Sequence, residues 1–291
     1  MQGNALTALG SAALWGGGDF SGGMGVGAAG GNTGAALRVV ILSHISSFAV
    51  LLAIVLARGE GVPHGALLAW GLLAGFCGAV SLTCFYMALS RGAMGASAAV
   101  SGLLAAAIPA MVSMVVEGEP STLRVVGFLV AAVAIWMIAA GPAAPGAVKS
   151  TLPLAVVAGV GFGVYFVALR MANPLGVYMP MALARVGSLV TCGLTFVVLA
   201  MRGNAGGAAM NQRAVWWSLS AGALDTSGNL LFVAATRAGR LDVAAVLASL
   251  YPASTIVLAA WLLKERLSHR QVVGMVVALG AVILITLNVK W

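Results

Sequence analysis

The sequence predicts an all-α polytopic membrane protein, with ten transmembrane helices in two inverted five-helix repeats. Three observations carry that prediction. Hydrophobic residues fill 61% of the 291 positions and charged residues only 8%, whereas soluble domains carry roughly a quarter charged residues. Apolar runs long enough to cross a bilayer, and able to satisfy their backbone there only as helices, recur ten times. Third, a shift of 146 positions lays Trp70 on Trp216, Ser81 on Ser227, Ala88 on Ala234 and Arg91 on Arg237. The same shift lays Val100 on Val246, Leu104 on Leu250, Glu119 on Glu265 and Val126 on Val272. An ungapped register of that length signals an internal duplication.

The runs fall at 5–23, 34–57, 66–90, 93–116, 123–140, 152–172, 177–201, 214–237, 241–263 and 269–288. Most connections are short. The Pro/Gly-rich stretch 141–151 reads as the linker between a first repeat (1–140) and a second (152–291). Ser268 with Gln271 three residues on is a capping-box pattern that starts the last helix. Pro109 and Pro252 lie inside the fourth and ninth runs, where a missing backbone donor permits a kink. Five spans per half is an odd number, so the second half enters the membrane upside down relative to the first. Inverted repeats of this kind are common in secondary transporters.

The net charge of +8 comes from basic residues standing singly among apolar runs. That pattern fits lipid headgroups and topology and excludes a nucleic-acid surface. Residues 1–4 lack the basic start of a cleaved signal, so the first run is expected to remain as a span. With the N-terminus inside, six basic residues fall on the inner side and seven on the outer, so charge bias does not orient the chain. Cys77, Cys84 and Cys192 have neither metal-ligand nor disulfide spacing and read as small buried hydrophobes.

Charged groups inside a span are costly and usually face a partner or a cavity. Asp19, Arg38, Arg185 and Asp225 are the four that stand out. Asp225 lies about 16 Å into its span at helical rise, near mid-bilayer, and has no cation close by in sequence. It is therefore the expected proton carrier. Trp15 and Asp19 share a helix face beside Gly16, Gly17 and Gly18, and Asp225 and Asn229 share another. Tyr86, Tyr165 and Tyr251 are amphipathic and suited to ring a cavity, while Tyr178 suits an interfacial anchor. The expected substrate contacts are thus Trp15, Asp19, Arg38, Tyr86, Tyr165, Arg185, Asn229 and Tyr251. The plainer alternative is that the four charges only lock helices together. His44 reads as a bonded structural histidine, and Glu117, Glu119 and Glu265 as solvated span ends. No zinc-binding His-Glu-x-x-His, phosphate-binding Walker loop or nucleophile–base set is present, so neither catalysis nor a metal or other cofactor is expected.

The paired copies resemble EamA-type domains of the drug/metabolite transporter superfamily over nearly the whole chain. The resemblance rests on Leu14-Trp15-Gly16, on the helical Arg38 and Arg185, and above all on Leu247-Ala248-Ser249-Leu250-Tyr251-Pro252. Lys264-Glu265-Arg266-Leu267-Ser268, Gln271 and Gly274 follow it. The first copy departs from the second, with Ala105-Ala106 in place of Tyr251-Pro252 and its proline displaced to Pro109. The resemblance implies ten helices, cytoplasmic termini in the plasma (inner) membrane, a central cavity, and movement of small metabolites by alternating access.

The leading expectation is a secondary transporter of a small polar metabolite, an amino acid or an organic cation, coupled to protons or to exchange. The alternative is a non-transporting scaffold or sensor. The expected partners are the small-molecule substrate and the lipid bilayer, with the protein a monomer or homodimer. Where the repeat breaks, polar groups vary: Asp19 falls against Tyr165, Ala79 against Asp225, Tyr86 against Phe232 and Ala105 against Tyr251. Those positions are where the ligand is to be sought.

Overall fold

The computed structural model describes residues 2–91, 94–139, 151–206, 210–262, 264 and 268–286. The linker 141–150 and Glu265-Arg266-Leu267 lie outside the described residues. Within them the fold is all-helical and follows the apolar runs. The helices are α1 (Gln2–Ala28), α2 (Thr33–Ala57), α3 (Ala66–Ser90), α4 (Met94–Val116), α5 (Thr122–Ala139) and α6 (Leu152–Met171). After a 3-10 turn at Asn173–Leu175 come α7 (Tyr178–Met201), α8 (Gln212–Ala238), α9 (Leu241–Ala248), α10 (Tyr251–Leu262) and α11 (His269–Thr286).

Local chemistry explains several boundaries. Asn32 and Asn211 cap α2 and α8 by accepting from the Ala35 and Ala214 N–H groups, at 2.9 and 2.7 Å. The capping box at Ser268 closes reciprocally: the Gln271 N–H donates to the Ser268 hydroxyl at 3.3 Å, and the Ser268 N–H donates to Gln271 Oε1 at 2.8 Å. The ninth run is not one helix. It breaks at Ser249-Leu250, just before Pro252, into α9 and α10. The α4 helix runs unbroken through Pro109. The prolines differ in context: Pro252 stands in the first turn of α10, where it starts a helix rather than interrupting one.

Five spans are both long and apolar enough to cross a membrane among the described residues: Thr33–Ala57, Ala66–Ser90, Leu152–Met171, Tyr178–Met201 and Leu241–Leu262. Three shorter apolar helices stand beside them, at Val100–Val116, Thr122–Ile138 and His269–Ile285. The α1 and α8 helices, at 27 residues each, are longer than most of these but carry Gly, Ser, Thr, Asn and Asp where the others carry Leu and Val. These two pack against each other more extensively than any other pair. Most of their polar residues, among them Ser11, Asp19, Ser21, Ser218, Thr226 and Asn229, are buried against protein, which is why they can be less apolar and still lie in the bundle.

The other most extensive pairings also cross between the halves. The α3 helix packs on α6 and α7, α4 on α6 and α9, α2 on α7 and α8, and α5 on α11. Exchanging each helix with its partner under the 146-residue shift converts α1–α8 into α6–α3 and α2–α8 into α7–α3, both of which are present. Small residues permit these crossings, as expected where helices associate by close van der Waals approach. A Cβ on Gly75 of α3 would lie 2.7 Å from the Ser188 backbone nitrogen and 2.8 Å from Gly187 Cα of α7. One on Gly16 of α1 would lie 2.8 Å from the Tyr251 carbonyl and the Thr255 nitrogen. The three cysteines are free thiols, with Cys192 buried and Cys77 and Cys84 half-buried.

Contacts sort the helix ends into two faces. At one, Glu117 meets Arg170 and Leu241, the Arg58 guanidinium covers the Tyr178 ring at 5.3 Å, and Gly127 abuts Ile285. At the other, Asn211 donates to the Ala28 carbonyl at 2.9 Å, Gly34 abuts Ala205, and Arg270 lies over Trp136 at 3.7 Å. The start of α1 lies at the Glu117 end, beside Gly239, and its close at Ala28 lies at the Asn211 end.

Candidate functional site: a polar cavity between the halves

A cavity sits between the two faces. Seven of the nine expected residues line it: Trp15, Asp19, Tyr165, Arg185, Asp225, Asn229 and Tyr251. So do His44, Ser188, Phe162, Phe166, Leu82, Ala105 and Ala184, with Gly75 and Gly78 opening the wall. The α1, α2, α3, α4, α6, α7, α8 and α10 helices all contribute. Both halves therefore build one site.

Arg185 organises its polar side. The guanidinium donates from Nη1 to His44 Nε2 at 2.9 Å, and from Nη2 to Asp225 Oδ2 at 2.5 Å and Thr226 Oγ1 at 2.8 Å. A guanidinium only donates, so His44 Nε2 must be the accepting nitrogen. The imidazole proton then resides on Nδ1, which faces the Ser188 hydroxyl at 2.6 Å. On the other side, Asn229 Nδ2 donates to Asp225 Oδ1 at 3.0 Å, and the Tyr165 hydroxyl donates to Asn229 Oδ1 at 2.7 Å. The chain Ser188–His44–Arg185–Asp225–Asn229–Tyr165 ties α2, α6, α7 and α8 together. Helical spacing aligns its members, with Arg185 and Ser188 one turn apart on α7 and Asp225 and Asn229 one turn apart on α8.

The basis for reading Asp225 as the proton carrier is corrected here. A cation does stand beside it, brought from 40 positions away in sequence by the α7–α8 contact. His44 is bonded, as expected, and its partners Ser188 and Arg185 make it a member of the same network. Its signal was the one applied to the other four residues, a lone polar group in an apolar run.

Asp19 differs from Asp225. It is 8% exposed and lines the cavity, yet its carboxylate has no hydrogen bond or ion pair among the described residues. The walls around it are aromatic. Trp15 stacks on Phe166 with centroids 5.0 Å apart and planes 5° from parallel, and Phe232 backs both rings at 5.5 and 4.6 Å. Gly228 leaves room for the indole, because a Cβ there would sit 2.7 Å from Trp15 Cδ1. Phe85 meets Phe162 and Tyr251 edge-on at 5.8 and 6.1 Å, and the Tyr251 hydroxyl bonds Ser101 at 2.8 Å. Aromatic pairs of this kind each add about 0.5–1.5 kcal/mol beyond area burial.

Two expected residues lie outside the wall. Tyr86 is buried behind the cavity with its ring against Gly22, one turn beyond Asp19 on α1. Arg38 stands in the second turn of α2, toward the Asn211 end, with Nε and Nη2 buried and unpartnered. Arg38 and Arg185 are one position out of the 146-residue register. One residue is a rotation of about 100° on a helix, which is enough to turn Arg38 away from the face that Arg185 occupies.

The Glu117 end carries a second charged cluster. Glu117 accepts from Arg170 Nη2 at 2.7 Å, from Ser113 at 2.7 Å and from the Leu241 N–H at 2.9 Å. Arg240 donates to the Glu117 and Gly118 carbonyls at 3.0 and 2.7 Å and pairs with the fully buried Asp242 at 2.8 Å. Arg170 also donates to the Thr236 carbonyl, and Arg237 to the Asn173 carbonyl. The end of α4 is thereby latched to the ends of α6 and α8 and the start of α9. Burial pushes the Glu117 carboxyl up, but the Ser113 hydroxyl, the Leu241 N–H and the Arg170 guanidinium outweigh it and hold the carboxyl below its ordinary range. Glu117 is thus not a merely solvated span end. At the Asn211 end a cleft of about 910 Å³ is lined by Gly23, Met24, Gly27, Ala28, Leu89, Ser90, Asn211 and Arg213. Gly23 is one turn from Asp19, and Leu89 and Ser90 are one turn from Tyr86. Tyr86 thus lies between the cleft and the cavity in the register of α1 and α3, its ring against Gly22.

Fold and cavity together define a polytopic α-helical membrane protein with a site of polar and aromatic side chains built jointly by its two halves. Residues 149–287, just under half of the chain, match the model of the EamA-like transporter family. That match points to a membrane transporter rather than an enzyme. It covers the copy containing Tyr251-Pro252 and the Ser268 capping box, and stops short of the more divergent first copy. One solved structure, titled only "Crystal structure of protein", superposes with a TM-score of 0.73 at 16% identity, covering 97% of this chain and 96% of that one. At that identity the likeness concerns the fold. No curated protein matches the sequence.

Proposed function

We propose that the protein is a secondary carrier that moves a small polar metabolite, an amino acid or an organic cation, by alternating access between two inverted repeats. The observation that carries this reading is the unpartnered Asp19 carboxylate in a cavity shared by both halves. Burying a carboxylate without a partner is costly, and function is the usual reason a membrane protein retains one. The surroundings agree with a closed conformation. The Glu117–Arg170–Arg240 latch seals one end, and at the other Tyr86 lies between the cavity and an open cleft. Alternation then consists of parting the latch while the Asn211 end closes, with the break between α9 and α10 available as a hinge. Discontinuous helices near mid-membrane serve this role in other carriers.

Coupling falls to Asp19 rather than Asp225. Protonating Asp225 would strand the Arg185 guanidinium, whereas Asp19 has no such partner to lose. The test is counterflow in proteoliposomes with substrates found by a metabolite thermal-shift screen. Asp19→Asn is expected to abolish proton-driven uptake while Asp225-dependent folding is retained. Unchanged proton coupling in Asp19→Asn overturns the assignment, and ligand binding with no counterflow by any hit overturns the carrier reading.

A further inference from the structure

The charges in the cavity wall do not balance. Asp225 and Arg185 neutralise each other at 2.5 Å. His44 is held neutral, because its Nε2 accepts from a guanidinium and so carries no proton. Asp19 is left over, and in its ionised form it gives the wall one net negative charge. Arg185 offers a ligand little: its side chain is 3% exposed, Nη1 and Nη2 are bonded within the wall, and Nε, the one nitrogen without a partner, is buried out of reach. A ligand carboxylate entering the cavity thus finds no free cation and meets an unpaired anion. A ligand ammonium finds a free carboxylate framed by the rings of Trp15, Phe162, Phe166, Tyr165 and Tyr251. Ring faces attract desolvated organic cations, and they do not provide the shell of oxygens that a hard metal ion takes.

We infer that the substrate is an organic monocation with an apolar or aromatic body, its charged nitrogen on Asp19 and its body among these rings. The inference rests on reading the cavity as the carrier's substrate site. It narrows the choice between an amino acid and an organic cation to the cation.

Three probes of one shape and different charge test it: phenethylammonium, L-phenylalanine and 3-phenylpropionate. Binding to the purified protein is followed by calorimetry and Trp fluorescence, with sodium chloride in excess throughout. Phenethylammonium is expected to bind, L-phenylalanine at least about tenfold more weakly, and 3-phenylpropionate not at all. A charge-assisted contact of this kind sets the scale for Asp19→Asn, which should weaken phenethylammonium about thirtyfold. Failure of phenethylammonium to bind, or equal binding of the zwitterion or anion, overturns the inference on the wild-type protein alone. So does undiminished phenethylammonium binding to a folded Asp19→Asn variant. Counterflow separates this from the carrier reading. Cation binding without counterflow leaves the inference standing and removes the transport function, while counterflow of the zwitterion without cation binding does the reverse.

Discussion

Replacing Arg185 with leucine removes three hydrogen bonds and leaves the Asp225 carboxylate without its cation. The side chains are 3% and 13% exposed, so little water is at hand to compensate. Breaking one partner of such a buried pair costs about 3–5 kcal/mol. Asp225 keeps its bond from Asn229, and polar contacts between membrane helices tend to the low side because the unfolded chain also finds partners. The expected loss is therefore about 3 kcal/mol, at the lower end of that range. The double variant Arg185→Leu/Asp225→Leu carries no stranded charge and is expected to recover about 2 kcal/mol relative to additivity, a coupling that a double-mutant cycle reads directly. The assay is reversible unfolding of the purified protein in mixed detergent micelles, followed by Trp fluorescence. A single-variant loss under about 1 kcal/mol, or strict additivity in the double, would refute the claim that this pair holds α7 to α8. Arg185→Lys is expected to resemble the leucine variant, since one ammonium cannot span His44, Asp225 and Thr226 in the guanidinium's planar geometry.

Two further outcomes follow from the packing and the latch. Gly75→Ala places a methyl against the α7 backbone and is expected to lower the melting temperature, whereas Ala at Gly193, where no neighbouring atom lies within 4 Å, should leave it unchanged; equal effects would remove the close-crossing argument. The Glu117 carboxyl is held below its usual value of 4.5 in the folded protein, so its stabilising contribution is fully present above that value and is lost as pH falls through the lower folded one. Melting curves between neutral pH and pH 3 are expected to show a drop in the wild type that Glu117→Gln lacks, and parallel curves would show that the latch does not titrate.

The apolar runs determined most of the helices to within two residues, α1 and the broken ninth run excepted, because the energetic demand that produces a span is local: about twenty apolar residues that satisfy their own backbone. The Ser268–Gln271 pair was equally legible, since a cap involves residues within one turn, and the caps at Asn32 and Asn211 were added by the structure. The broken matches of the repeat also pointed well. Asp19, Tyr165, Asp225, Ala105 and Tyr251 all line the cavity. Lipid demands the same of both copies, whereas the two members of a broken match meet different parts of one shared cavity.

Partnership was decided by the tertiary structure alone. Nothing near Asp225 in sequence announces Arg185, and nothing near Glu117 announces Arg170 or Arg240. Those contacts arise where helices distant in the chain cross at small residues. The two intramembrane aspartates look alike in sequence and differ completely in the folded protein, one ion-paired and one free. Their roles follow from that difference, because the free energy of a buried charge depends on what lies within a few ångströms of it rather than on the residues beside it in the chain.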